Sequence, residues 1–280
     1  MKLPISVWSQ YYVDETPFEA VELLAEAGYR YLEFGHRHAE WLLDRGTPEA
    51  QGKAYREFTD GLGMKLCQGH LSYKQGIVDD AAMEIIKPQL VLFRELGITK
   101  AVLHVNGGLK LPEEERYAKW MKYLGELSDF VDGTGITLCL ENLNSNPQVR
   151  SADGLLQVIR DAGDKNFGIC LDTGHLHLSN KEGHIVQTQG EFIRKAGQYL
   201  QALHIQDNNG LGDVHQMPYS ARYGIDWQDV MRGLREIGYK DLFNLEILGE
   251  RGGPRLIKRA KLDFLHTLTD YMLTDEFMDM

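Results

Sequence analysis

The sequence predicts an α/β fold of the (β/α)8 TIM-barrel type, and three observations predict it. Short apolar runs alternate with longer amphipathic stretches along the whole chain, eight pairs in all, a pattern that implies parallel strands joined by crossover helices. The 280 residues divide into eight units of about 35 residues, the size of a strand–helix unit in such a barrel. No Gly-x-Gly-x-x-Gly follows the first apolar run, which argues against a doubly wound open sheet. No Pro/Gly/Ser-rich linker or composition break divides the chain, so residues 1–273 read as a single domain.

The first strand candidate, ISVWS (5–9), leads to a helix over Pro17–Ala27, which Thr16 caps, Pro17 opens and Gly28 ends. YRYLEF (29–34) follows, then a helix over Thr47–Leu62, with Thr47 ahead of Pro48 and Gly63 behind. KLCQG (65–69) precedes Asp79–Leu96, which Gly97 closes. KAVLHV (100–105) precedes Pro112–Asp132, whose acidic opening EEER (113–116) complements the positive end of the helix dipole. ITLCLEN (136–142) leads to Ser151–Ala162, between the N-cap Ser151 and the terminator Gly163, and FGICLD (167–172) leads to Gly190–Ala196. YLQALHIQD (199–207) precedes Trp227–Ile237, capped by Asp226 and ended by Gly238, and LFNLEI (242–247) precedes Pro254–Tyr271. The acidic, unpatterned residues 274–280 are expected to hang free.

Thirty basic against 41 acidic residues give a net charge of −11, a field that repels nucleic acid and anionic membrane. No apolar run reaches the roughly 18 residues of a membrane helix, and the first residues lack the basic-then-apolar layout of a signal peptide. A cytoplasmic protein is expected. Cys67, Cys139 and Cys170 are odd in number and embedded in apolar runs, so they read as buried thiols rather than a disulfide or zinc framework. Trp120 and Tyr123, on the long fourth helix, are candidates for an exposed patch and hence a homodimer.

In a barrel, residues at the C-terminal ends of the strands converge on one face, where this fold places its chemistry. Read in order, those ends supply Glu33 and His36, His70, His104, Glu141 with Asn142, Asp172 with His175, His204 with Asp207, and Glu246; the seventh loop adds Asp213 and His215. A carboxylate ending an apolar strand costs several kcal/mol unless compensated, and almost no basic residue stands at the other strand ends. A bound cation is therefore expected on Glu141, Asp172, His204 and Glu246, an oxygen-rich set suited to Mn2+, Mg2+, Co2+ or Zn2+. The alternative is a purely structural polar network.

The segments LCLEN, CLDTGH, ALHIQD followed by DVHQMPYSARYGIDW, and FNLEI together resemble the xylose-isomerase-like barrel superfamily of sugar and sugar-phosphate isomerases and epimerases, which also includes metal-dependent apurinic endonucleases. The resemblance covers nearly the whole chain. It implies that Glu141, Asp172, His204 and Glu246 ligate a divalent metal and that His175 contacts substrate or a second metal. By the same resemblance His70, His104, Asp213 and His215 match further ligands of the endonucleases. Against a nuclease stands the lack of a Lys/Arg cluster with interleaved aromatics to clamp phosphates.

The function expected is a metal-dependent isomerase or epimerase of a sugar or related polyol, acting through an enediolate with Glu141 and Glu246 as acid and base. Arg222 and His175 are candidates for holding the substrate, and Trp8, Phe34, Trp41 and Tyr73 for stacking on a sugar or packing at the mouth. The expected partner is a small sugar or polyol, neutral or weakly anionic, rather than nucleic acid or membrane. A multinuclear metal hydrolase or lyase is the alternative, and a ligand-binding barrel without turnover is a third reading.

Overall fold

A computed structural model describes residues 2–185 and 187–279 of the chain, and the alternation read from the sequence closes into a barrel. Strands β1 (Ile5–Trp8), β2 (Tyr31–Phe34), β3 (Lys65–His70), β4 (Lys100–Leu103), β5 (Thr137–Glu141), β6 (Phe167–Asp172), β7 (Leu200–His204) and β8 (Phe243–Leu245) form one parallel sheet in the order 7-6-5-4-3-2-1-8. The ring closes at its C-terminal end, where Ile205 bridges Leu245: the Ile205 N–H donates to Asn244 O at 2.8 Å and the Glu246 N–H to Ile205 O at 3.1 Å. Inside the ring the small side chains of Val102, Cys139, Cys170 and Ala202 pack together. Cys139 and Cys170 are buried, Cys67 is half-buried, and all three are free thiols.

Helices α1 (Pro17–Glu26), α2 (His36–Leu43), α3 (Pro48–Gly61), α4 (Asp80–Leu96), α5 (Glu113–Val131), α6 (Ala152–Asp161), α7 (Thr173–Lys181), α8 (Gln189–Ala196), α9 (Trp227–Glu236), α10 (Arg255–Met272) and α11 (Asp275–Met278) cover the sheet or decorate its loops. Capping begins them where the sequence placed the signals. Thr16 and Glu19 form a reciprocal box on α1, with Thr16 Oγ1 accepting from the Glu19 N–H at 3.3 Å and Glu19 Oε2 from the Thr16 N–H at 3.1 Å. Ser151 and Asp226 cap α6 and α9 through the N–H groups of Gly154 and Asp229.

Besides the C-terminal turn α11, two helices are not anticipated by the periodicity. α2 is short, and α7 buries Thr173, Gly174, His175 and Ser179 alongside its leucines, so a polar site face overwrites the apolar stripe that periodicity detects. At the end of the chain the expected free tail is not what folds. Phe277 and Met278 are buried, Phe277 meets the edges of Tyr219 and Tyr271, and Asp279 pairs with Arg235 at 3.0 Å. Two apolar side chains in an acidic heptapeptide are enough to anchor it.

The patch proposed for a dimer is likewise absent. Trp120 and Tyr123 face inward; Trp120 Nε1 donates to Asn106 O at 3.2 Å and Tyr123 Oη to Asp80 Oδ1 at 2.9 Å. They are the packed face of α5. At Gly76 and Gly107, where the third and fourth strand-to-helix loops touch, a Cβ on Gly76 would stand 2.3 Å from Gly107 Cα. Only glycine permits that approach, which gives the Gly107–Gly108 pair a structural role. No helix among the described residues is long and apolar enough to cross a membrane.

Candidate functional site

The C-terminal mouth of the barrel holds a cavity of about 140 Å3 lined by Trp8, His70, Tyr73, His104, Glu141, His175, Asp213, His215 and Glu246. Asp172 and His204 lie beneath it, wholly buried. Nine of the ten site residues chosen from sequence thus gather at one point, and Arg222 does not. It is exposed in the loop after β7, with its guanidinium 5.1 Å over the ring of Tyr223, because that loop turns its tip outward. Phe34 is a core residue, and Trp41 packs on Phe18 beneath Arg45; Trp8 and Tyr73 do line the mouth.

Parallel strands with their ends in register bring Glu141, Asp172, His204 and Glu246 together, each offering one donor atom within 4.8 Å of the others. His204 Nδ1 stands 3.1 Å from Glu141 Oε1 and 3.4 Å from Glu246 Oε2, while its Nε2 lies 2.8 Å from Glu33 Oε1. Glu33 also accepts from Gln68 Nε2 at 2.9 Å and from Asn244 Nδ2 at 2.5 Å, and Asn244 Oδ1 in turn accepts from Ser6 Oγ at 2.8 Å. A carboxylate that takes one imidazole N–H leaves the other nitrogen free to ligate. Glu33 was legible as a strand-end carboxylate in YLEF, but its partners come from β3, β7 and β8, which no sequence spacing connects.

Asp172 is positioned by its neighbours. Its N–H donates to Asn142 Oδ1 at 2.8 Å, Asn142 Nδ2 returns to its carbonyl at 3.0 Å, and its carboxylate caps α7 by accepting the His175 N–H at 2.7 Å. Gln206, which sequence reasoning passed over, donates to both Asp172 and Asp213, at 2.6 Å to Asp213 Oδ1. Asp213 Oδ2 sits between His175 Nε2 at 3.2 Å and His215 Nε2 at 3.3 Å. His215 adopts φ 48°, a left-handed conformation rare for a non-glycine residue, held by its Nδ1 contact with Glu246 O at 2.9 Å. Asp207, the other strand-end candidate of β7, serves the loop instead, accepting from the N–H groups of Asn208, Tyr219 and Ile225 and from Trp227 Nε1.

His70 and His104 add a second donor set around Glu141. His70 Nδ1 lies 2.8 Å from Leu71 O, which turns Nε2 toward Glu141 Oε2 at 3.6 Å. His104 Nε2 and Glu141 Oε2 are 2.7 Å apart, yet both are buried without a hydrogen bond, since neither is aimed along the line between them. Two such orphaned atoms cost about 1–3 kcal/mol each, and a cation among these donors would satisfy both.

The electrostatics point the same way. Burial raises the Glu246 carboxyl to about 7, while at Glu141 burial is outweighed by His104 and His204, which hold it well below the usual carboxylate range. Burial opposes the charge on His204 and His175, yet the surrounding acids lift both well above the ordinary imidazole value, and His215 rises to about 10 beside Glu246 and Asp213. The site draws in positive charge, and the donors present fit a divalent ion.

The model of the xylose isomerase-like TIM barrel family matches residues 21–268. Along the sequence the chain is 27% identical over 139 residues to D-psicose 3-epimerase of Agrobacterium fabrum, covering 49% of this chain and 44% of that one. It is 28% identical over 141 residues to a probable endonuclease 4 of Ureaplasma parvum, covering 47% and 45%. The matches thus span less than half of either relative. In three dimensions it superposes on D-psicose 3-epimerase from Clostridium cellulolyticum H10 with a TM-score of 0.78 at 18% identity, over 97% of this chain and 99% of that one. The closed parallel barrel and the family match over most of its length together establish that this chain belongs to the xylose isomerase-like TIM barrel family.

Proposed function

We propose that the chain is a divalent-metal-dependent isomerase or epimerase of a sugar or related polyol. The observation that carries this reading is the convergence of Glu141, Asp172, His204 and Glu246, from four consecutive strand ends, with His204 oriented by Glu33. These four residues would hold Mn2+, Mg2+, Co2+ or Zn2+, whose charge offsets the negative charge that develops on adjacent substrate oxygens.

The chain's own groups account for the proton transfers. Glu141 and Glu246 come from the fifth and eighth strands and both reach His204 Nδ1, at 3.1 and 3.4 Å, so two carboxylates are at hand to divide the roles of base and acid. Glu141, kept ionised, takes the proton from the carbon next to the substrate carbonyl, and the C–H electron pair passes into an enediolate. A proton is returned through Glu246 to the opposite face of the same carbon, giving the epimer, or to the neighbouring carbon, giving the isomer. His175, tied to Asp213, is placed to hold a substrate hydroxyl, and Trp8 and Tyr73 wall the cavity against water.

A second reading, a multinuclear metal hydrolase or lyase, is favoured by one observation: His70 and His104 join Glu141 in a further donor set, and Asp213 stands between His175 and His215. Elemental analysis of purified protein, together with assays on free ketoses, aldoses, their phosphates and an abasic duplex, separates the two. One ion per chain with sugar interconversion supports the first reading; two or three ions with duplex or glycoside cleavage overturns it.

A further inference from the structure

Outside the donor cluster the mouth opens into a second cavity of about 380 Å3, sharing the walls Trp8, Tyr73 and His215 with the first. The two spaces adjoin, and their linings differ in charge. The inner one sets three carboxylates among four histidines. The outer one is lined by the guanidinium groups of Arg37 and Arg251 and by no carboxylate.

Arg37 stands in the first turn of α2, and among the described residues its guanidinium has no hydrogen-bond or ion-pair partner. Arg251, in the loop after β8, stands with its Nε 3.4 Å from Asp14 Oδ1. Asp14 is shared with Lys258 at 3.6 Å and with the Gly252 N–H at 2.9 Å, so it offsets the charge of Arg251 only in part. In a chain of net charge −11, two guanidinium groups line one cavity whose walls carry no acid, and of the two only Arg251 has an acidic neighbour, so together they form a local site for a planar or tetrahedral anion.

We propose that the substrate carries a carboxylate or phosphate at the end remote from the reacting carbons, bound by Arg37 and Arg251 while its polyol end reaches the donor cluster. This rests on the sugar isomerase or epimerase reading above. The inner cavity has room for roughly one sugar ring, and the outer one takes the remainder, with the aromatic faces of Trp8 and Tyr73 along the passage.

The test is calorimetric binding of D-fructose, D-glucuronate and D-fructose 6-phosphate to the metal-loaded protein and to its Arg37→Gln, Arg37→Lys and Arg251→Gln variants. At least one anionic compound is expected to bind tenfold or more tighter than D-fructose. Glucuronate and the phosphate ester identify which anion is preferred. Arg37→Gln and Arg251→Gln should each bring the anionic-to-neutral affinity ratio towards one, and Arg37→Lys should keep part of it. Equal binding of anionic and neutral ligands by the wild type, or an unchanged ratio in both glutamine variants, overturns the proposal. The underlying reading fails separately, through absent sugar interconversion by wild-type protein whose charge preference is intact.

Discussion

Replacing Glu33 by Gln separates a residue that orients the proposed metal site from one that merely holds the barrel together. Glu33 is fully buried and accepts three donors, from His204, Gln68 and Asn244. In Glu33→Gln the amide oxygen can keep His204 and Gln68, but the new NH2 would face the Asn244 NH2. Asn244 can relieve that clash by flipping its amide, because its other neighbour, Ser6 Oγ, accepts as readily as it donates. The fold should therefore lose only about 1 kcal/mol, one ordinary hydrogen bond. His204 loses the carboxylate that draws on its Nε2–H, and removing such an orienting partner costs about 10–100-fold in metal affinity, or about 1.4–2.7 kcal/mol. Glu33→Ala should behave differently, stranding three buried donors at about 1–3 kcal/mol each and destabilising the protein outright. Competition between each variant and a chelating dye for Mn2+ or Zn2+, paired with thermal unfolding of the metal-free forms, measures both quantities. Wild-type metal affinity in a folded Glu33→Gln protein would refute the orienting role of Glu33.

Other consequences are as direct. Glu141→Gln and Glu246→Gln should each abolish turnover in a protein that still folds, since barrel stability lies in its packed layers; near-normal activity in either would remove the acid/base assignment. Chelation should abolish the proposed activity reversibly, with recovery on adding Mn2+, Co2+, Mg2+ or Zn2+, and full activity after verified metal removal would contradict the metal assignment. His38, against Ser9 Oγ at 2.9 Å, is lowered by burial to about 4, so the unfolded chain takes up its proton first as pH falls below about 6.5. Its contribution should cost about 2 kcal/mol between pH 7 and 5, and urea titrations of His38→Gln should show a shallower loss than wild type; parallel slopes would exclude it. Phe277→Ala should cost about 3 kcal/mol of stability if the C-terminal turn is packed as seen, and an unchanged melting temperature would return those residues to a free tail.

Much of this protein was written in its local pattern. Eight apolar runs between capped amphipathic segments are a property of neighbouring residues, so the strands, the eight principal helices and the barrel follow from the sequence itself. The strand-end rule then selects the donors, because parallel strands of similar length place their last residues on one rim whatever the loops do. That is why Glu141, Asp172, His204 and Glu246 were legible before any coordinates. The tertiary structure decided what depends on direction and on residues far apart in the chain. It sent Arg222 to solvent and brought Arg37 and Arg251, 214 positions apart, around one cavity. It turned Trp120 inward, since a helix's apolar face looks the same in sequence whether it packs or lies bare. Which nitrogen of His204 faces the donors was settled by Glu33, Gln68 and Asn244, from strands on different sides of the ring. Periodicity records burial along one element; side-chain orientation is set by hydrogen bonds between elements, and those exist only once the barrel has closed.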